Sequence, residues 1–401
     1  MTDPSMSAGP IDLDCNATTR PLSEVVQAMT HAMRDLHHNP SSLHKPGQSA
    51  RAELERARAI VAELIHARPD EIVFTASATE SIVSALASAV RQYARSGQAC
   101  AVVTSKLEHA AVIESLQEIA KDTSIEIRYL DHNTQGSIDV QSLESCFASC
   151  EHEHLPVAIA TVHAANNETG VVQPVREIAE ICAKHNVLFH TDATQLIGKL
   201  PCDVQELGVD MLSFSAHKFH GPRGAGAMYV RKGMKLIPFL PGAQESGRRG
   251  GTENVPACIG ASVACDHAKT WLADSTKRTE RVQLREHLEQ QLKAEIAGIV
   301  IHGGDLPDER RLWNTVNAAI PGAPAEQMLV MLSEQNICAS AGAACSSGSI
   351  EPSRVISALG LSEDVLNSSI RFSFDRFTTK TEIDRAVPII TSCAARLRSF
   401  N

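Results

Sequence analysis

Ser213-Phe214-Ser215-Ala216-His217-Lys218-Phe219-His220-Gly221-Pro222 is the stretch on which the fold turns. Apolar and small residues from Met211 to Ser215 read as a buried strand, which a His-Lys pair and a Gly-Pro turn bring to a stop. Outward from it, β-rich runs recur at 72–75, 101–105, 156–163, 187–192 and 227–231. Between them lie helical periodicities such as Leu54, Arg58, Val61, Leu64 and Ile65, or Ile178, Ile181 and Cys182. That alternation predicts an α/β protein with a mainly parallel sheet flanked by helices. In such sheets ligands bind at the carboxyl ends of the strands, so Lys218 stands where chemistry is expected.

Beyond about residue 261 the pattern changes to a long polar helix reaching roughly 297, then short strands at 299–302, 314–320 and 369–374, and a closing helix from Lys380. We read this as a smaller α+β domain, giving a large domain over 20–262 and a small one over 1–19 and 263–401. The 401 residues, 43% hydrophobic and 21% charged, suit a compact two-part soluble protein rather than a disordered chain. A net charge of -10 without basic runs argues against direct nucleic-acid binding. No apolar run approaches the roughly 20 residues needed to span a bilayer. Residues 1–10 lack the basic flank and apolar core of a secretory signal, so the expected location is cytoplasmic. The 11 cysteines lack the spacing of a disulfide framework and are expected to be mostly buried and reduced. Cys146, Cys150, His152 and His154 read as a solvated surface segment rather than a metal site, and no metal is expected.

Four strand ends and one small-residue loop carry groups capable of chemistry. Lys218 is placed to reach inward and form a Schiff base if desolvation and nearby cations keep its amine partly deprotonated; the alternative is a solvent-facing lysine. Asp192, in Phe189-His190-Thr191-Asp192-Ala193-Thr194-Gln195, suits a pyridinium partner, or simply a helix N-cap. Ala76-Ser77-Ala78-Thr79-Glu80-Ser81 opens a helix and offers its backbone N–H groups to a phosphate, or is only a capped helix start. A cysteine in Ser340-Ala341-Gly342-Ala343-Ala344-Cys345-Ser346-Ser347-Gly348 has little bulk around it and suits an exposed reactive thiol, whereas most cysteines are small buried hydrophobes. Arg371, at the end of a strand, has the fork that grips a carboxylate, or serves as an ordinary ion-pair partner.

Taken together, these motifs resemble the fold-type I, class V aminotransferase-like cysteine desulfurases. The resemblance runs over nearly the whole chain, through Leu13-Asp14-Cys15-Asn16-Ala17-Thr18-Thr19, Asn39-Pro40-Ser41-Ser42-Leu43-His44, Ala165-Asn166-Asn167-Glu168-Thr169-Gly170, Gly251-Thr252-Glu253-Asn254 and Ser369-Ile370-Arg371-Phe372-Ser373. It implies pyridoxal 5′-phosphate (PLP) as cofactor, held by Lys218, with Asp192 on the ring nitrogen, Asn167 and Gln195 on the phenolic oxygen, and His109 stacked on the ring. Ala78, Thr79, Ser215 and His217 would hold the phosphate together with Thr252 from the other subunit of a homodimer. Arg371 would grip the carboxylate of L-cysteine, with Asn167 beside it.

The implied reaction converts L-cysteine to L-alanine, with Lys218 moving the Cα proton and Cys345 taking the sulfur as a persulfide on a loop spanning about 340–352. A sulfur-acceptor protein, an iron–sulfur scaffold or a thiolation carrier, would then discharge it. Cys15, Ala76 and Gly250 depart from the residues usual in the family. A selenocysteine lyase or another class V PLP aminotransferase is the neighbouring alternative, which Cys345 argues against. A non-catalytic sulfur-pathway binding protein is the alternative from another class, which the intact Lys218, Asp192, His109, Cys345 and Arg371 argue against.

Overall fold

A computed structural model describes residues 9–342 and 353–399. Its strands, in chain order, are β1 (Ile11–Asp12), β2 (Ile72–Thr75), β3 (Cys100–Ser105), β4 (Ile125–Leu130), β5 (Val157–Thr161), β6 (Phe189–Asp192), β7 (Met211–Ser215), β8 (Gly226–Val230), β9 (Val300–Ile301), β10 (Thr315–Ala319), β11 (Ile337–Cys338) and β12 (Ser369–Ser373). The chain divides into two compact units: Thr19–Asn166 with Val171–Ser275, and Met1–Thr18 with Asn167–Gly170 and Thr276–Asn401.

The first unit is built on a seven-stranded sheet in the order β2-β8-β7-β6-β5-β3-β4. The pairs β3–β4, β3–β5, β5–β6 and β6–β7 are parallel, while β8 is antiparallel to both neighbours, so β8 alone runs against the other six. The mainly parallel α/β sheet is therefore as the sequence predicts. β2, β3, β6, β7 and β8 are buried along their whole length because helices cover both faces, which is why they read as unbroken apolar or small-residue runs. Val73, Ile82, Leu86, Val102, Val112 and Ile159 form part of one core, each such side chain contributing about 1.5–3 kcal/mol on burial.

Two elements differ from the sequence reading. β4, Ile-Glu-Ile-Arg-Tyr-Leu, is an edge strand paired only to β3, and its half-exposed alternation is a weaker signal than the apolar runs beside it. The single long helix expected from 261 to 297 is two, Val255–Ala273 and Ser275–Glu295, broken at Asp274, whose backbone is extended (φ -92, ψ 97). The first is largely buried and packs on the helices Ser23–Asp35 and Lys45–Leu64, whereas the second is mostly polar. No described helix is long and apolar enough to cross a membrane.

The second unit carries the antiparallel sheet β12-β10-β9 and the parallel pair β1–β11. Helices Ala325–Glu334 and Lys380–Arg398 pack on each other in this unit. A capping box, Thr379 with Glu382, starts the closing helix at Lys380, where the sequence puts it.

Candidate active site

In the first unit, the turns after β2, β3, β6 and β7 all leave the sheet at its carboxyl end. After β7 the chain tightens into a 3-10 turn, Ala216–Lys218. Thr19 clasps that turn: its N–H and its hydroxyl both donate to the His217 carbonyl, each at 2.9 Å, and its oxygen accepts the His220 N–H at 2.6 Å. Lys218 is half-buried there. Beside it, burial and then the charges of Lys218 and Arg223 push His217 down to about 4, so its imidazole is neutral at pH 7.

Asp192 closes β6, is 6% exposed, and accepts the Thr194 N–H on Oδ1 at 2.9 Å. The N-cap-like contact anticipated from sequence is thus present, and it engages only one carboxylate oxygen.

His109 caps the helix Ala110–Asp122, its Nδ1 accepting the Ala111 N–H at 3.0 Å. Because Nδ1 accepts, the neutral ring carries its proton on Nε2. Burial lowers the His109 pKa; the Asp192 carboxylate opposes this and the Lys218 ammonium reinforces it. Asp192 and Lys218 therefore both bear on the charge of His109.

A buried clamp sets the position of His109. Glu108, 3% exposed, accepts Ser105 Oγ at 2.7 Å, the His163 N–H at 2.9 Å and His163 Nδ1 at 2.9 Å. This ties the end of β3 to the end of β5. Burial opposes a charge on His163, but the Glu108 carboxylate outweighs it and holds the pKa above the usual histidine range. Neither Glu108 as a clamp nor His163 was read from the sequence; the only signal was the position of Glu108 beside His109 after a strand.

Ala78 and Thr79 head the helix Ala78–Ala94, Ala78 buried and Thr79 exposed. Ser77 Oγ caps it by accepting the Glu80 N–H at 3.1 Å, and Glu80 in turn accepts the Ala76 N–H at 2.8 Å and pairs with Arg249 at 2.7 Å. Gly226, at the start of β8, lies against this turn: a Cβ on it would stand 2.5 Å from the Ser77 carbonyl carbon, so only glycine allows the approach. Ser215 is buried at the end of β7, with its hydroxyl 3.4 Å from the Ala225 carbonyl. Gln195 is 4% exposed, and its Oε1 accepts from Lys199 Nζ. Thr252 is exposed just before the helix Val255–Ala273, whose N-cap is Asn254.

In the second unit Arg371 lies midway along β12 rather than at its end, paired with Asn317 of β10 and bridged to Ser340. It is 1% exposed. Nη2 meets Asp14 Oδ1 at 2.7 Å, Nη1 donates to the Asn167 carbonyl at 3.1 Å, and Nε is buried with no partner among the described residues. Asp14 Oδ1 also accepts Ser340 Oγ at 2.8 Å, which makes Asp14 an anchor that the sequence reading passed over. Asn16 Nδ2 donates to the Asn167 carbonyl at 3.1 Å. Cys345 and most of its loop lie outside the described residues.

Most of the other described cysteines are buried. Burial pushes Cys182, Cys202 and Cys258 up to about 12. Cys338 corrects the expectation of burial, being exposed, yet partial desolvation and then the charges of Asp12 and Asp14 raise its pKa too. Cys150, by contrast, is buried before the exposed Glu151–His154 stretch, with Cys146 half-buried one turn earlier, so that segment is only partly solvated.

The family model of class-V aminotransferases matches residues 11–386. The chain belongs to the class-V aminotransferase family. Among its class-V relatives, it is 38% identical over 392 residues to a cysteine desulfurase of Nostoc sp., covering 98% of this chain and 94% of that one. Its fold is similar to that of a solved NifS-like protein, with a TM-score of 0.85, 32% identity, and coverage of 96% and 100% of the two chains. It is also similar to SspA in complex with cysteine, with a TM-score of 0.76, 30% identity, and coverage of 92% and 99%. In this class-V member the amine, acid and imidazole sit on three different strand ends.

Proposed function

We propose that the protein is a PLP-dependent cysteine desulfurase, taking the sulfur of L-cysteine onto Cys345 as a persulfide and releasing L-alanine. The observation that carries this reading is that His109, Asp192 and Lys218 stand at the carboxyl ends of parallel strands of one sheet, with Asp192 and Lys218 both bearing on the charge of His109. The residues suit PLP: a buried carboxylate for the ring nitrogen, an amine beside it, and a helix N-terminus with a close glycine approach for the phosphate. PLP, when bound, supplies a protonated ring that accepts electrons from the substrate's α-carbon.

The chain's own residues do the rest. Asp192 keeps the proton on the ring nitrogen. The Lys218 amine binds the cofactor and then moves the Cα proton. Gln195 and Asn167 donate to the phenolic oxygen, and His109 presents its neutral ring and Nε2–H. Ala78, Thr79, Ser215 and His217 hold the phosphate with Thr252 of a second copy, so the working unit is a homodimer. Arg371 grips the α-carboxylate, its orientation fixed by Asp14. The Cys345 thiolate attacks the substrate sulfur: an S–S bond forms, the C–S bond breaks, and the electrons left on carbon take up a proton to give alanine. A sulfur-acceptor protein in the cytoplasm then collects the sulfur.

The test is incubation of purified protein with PLP, L-cysteine and a reductant. Sulfide and alanine should appear in equal amounts, and brief exposure to cysteine without reductant should add the mass of one sulfur to the Cys345 peptide. Absence of alanine, or the extra mass on a different cysteine, overturns the reading.

A further inference from the structure

Lys199 is 4% exposed, and its Nζ donates to Oε1 of Gln195, a residue itself 4% exposed. A lysine is rarely buried so deeply, because removing an ammonium from water is expensive unless something is gained. Lys199 belongs to no helix or strand of the fold; it lies in the turn that follows β6, held by its own N–H on the Leu196 carbonyl at 3.0 Å. The preceding Gly198 has φ +76, and a Cβ there would fall 2.5 Å from Cβ of Phe219, the residue after Lys218. The turn bearing Gln195 and Lys199 is thus packed directly against the segment bearing Lys218, in a backbone conformation that only glycine adopts without strain.

The contact has a consequence for the amide. An ammonium has three donors and no acceptor, so it can meet only the oxygen of Gln195. Once Oε1 is committed to Lys199, the NH2 group must lie on the other branch of the amide. A free glutamine can present either its oxygen or its nitrogen to a ligand. In this one the nitrogen is the branch that Lys199 does not take.

We propose that Lys199 is a positioning residue: it fixes the Gln195 amide so that Nε2 donates to the phenolic oxygen of PLP, and thereby lowers the pH at which the cofactor on Lys218 loses its proton. The inference rests on the reading of Gln195 and Lys218 given above. A donor on the phenolic oxygen stabilises its negative form and weakens its hold on the neighbouring proton. Losing that donor raises the midpoint.

The experiment is a pH titration of the visible absorption band of the PLP-loaded protein, with PLP affinity measured alongside. Lys199→Met, matched in length and apolar, should raise the midpoint by about one pH unit, a tenfold change in the proton equilibrium. It should also weaken PLP binding several-fold. The decisive arm is the cycle with Gln195→Ala: if Lys199 acts through the amide, adding Lys199→Met to Gln195→Ala shifts the midpoint no further. Equal shifts in both backgrounds would mean that the charge of Lys199 acts directly, and would overturn the positioning role, as would no shift in either. Lys199→Gln, which keeps a polar side chain but loses the charge, provides the same readout if the methionine variant folds poorly. Native protein that develops no band with PLP would take down the PLP reading itself, a result distinct from a native band that Lys199→Met leaves unmoved.

Discussion

The two units hold their key cations in opposite ways. Arg371 is locked: it sits in mid-strand, 1% exposed, against the Asp14 carboxylate and the Asn167 carbonyl. Lys218 is half-buried in a 3-10 turn, and what is fixed around it is backbone, through the Thr19 clasp on the His217 carbonyl. Its neighbouring histidines, 109 and 217, both have lowered pKa values. A residue that only grips an anion gains from rigid placement and a permanent charge. A residue that must form a bond and then move a proton needs a fixed base but a side chain able to change state.

The largest effect is expected at Lys218. Lys218→Ala should abolish the visible band of bound PLP and reduce alanine formation by at least about a thousandfold, while the melting temperature of the cofactor-free protein changes little. A variant that keeps the band would mean that another amine holds the cofactor. At Arg371 the opposite pattern is expected, because its state depends on a partner carboxylate. Asp14→Ala leaves the guanidinium buried with a single carbonyl and should cost about 1–3 kcal/mol in urea unfolding. It should raise KM for cysteine with a smaller loss in kcat; an unchanged unfolding midpoint would show that the pair contributes nothing to the lock.

The smallest effect is expected at the Glu108–His163 clamp, which fixes the backbone beside His109. His163 has a raised pKa in the folded state, so the stability it contributes is fully present below the ordinary histidine pKa of about 6.5 and is lost as pH rises through the folded value. Glu108→Gln keeps the hydrogen-bonding shape but removes the charge. It should lose on the order of 1 kcal/mol more at pH 6 than at pH 8. Equal losses at both pH values would indicate that His163 is not protonated in the native protein.

Much of this was legible in one dimension. Apolar runs bounded by turn residues located β2, β3, β5, β6, β7 and β8, and the strand-end rule directed attention to Asp192 and Lys218 before any geometry was known. β4 escaped because an edge strand half in water mixes Glu126 and Arg128 into its pattern. The break at Asp274 escaped because no glycine or proline marks it. What differs across it is burial: the helix before is largely buried and the helix after mostly polar.

Residue type alone fixes the class of chemistry, since it decides which groups can form a Schiff base, carry a permanent charge or attack sulfur, and continuous apolar runs reveal six of the seven strands of the sheet, all but the half-exposed edge strand β4. What holds those groups in place is a matter of tertiary structure. Glu108 meets His163 across 55 positions, Asp14 meets Arg371 across 357, and Thr19 meets His217 across 198. Such contacts exist only once the chain has closed on itself, because a hydrogen bond depends on distance and angle in space and leaves no periodic trace along the sequence.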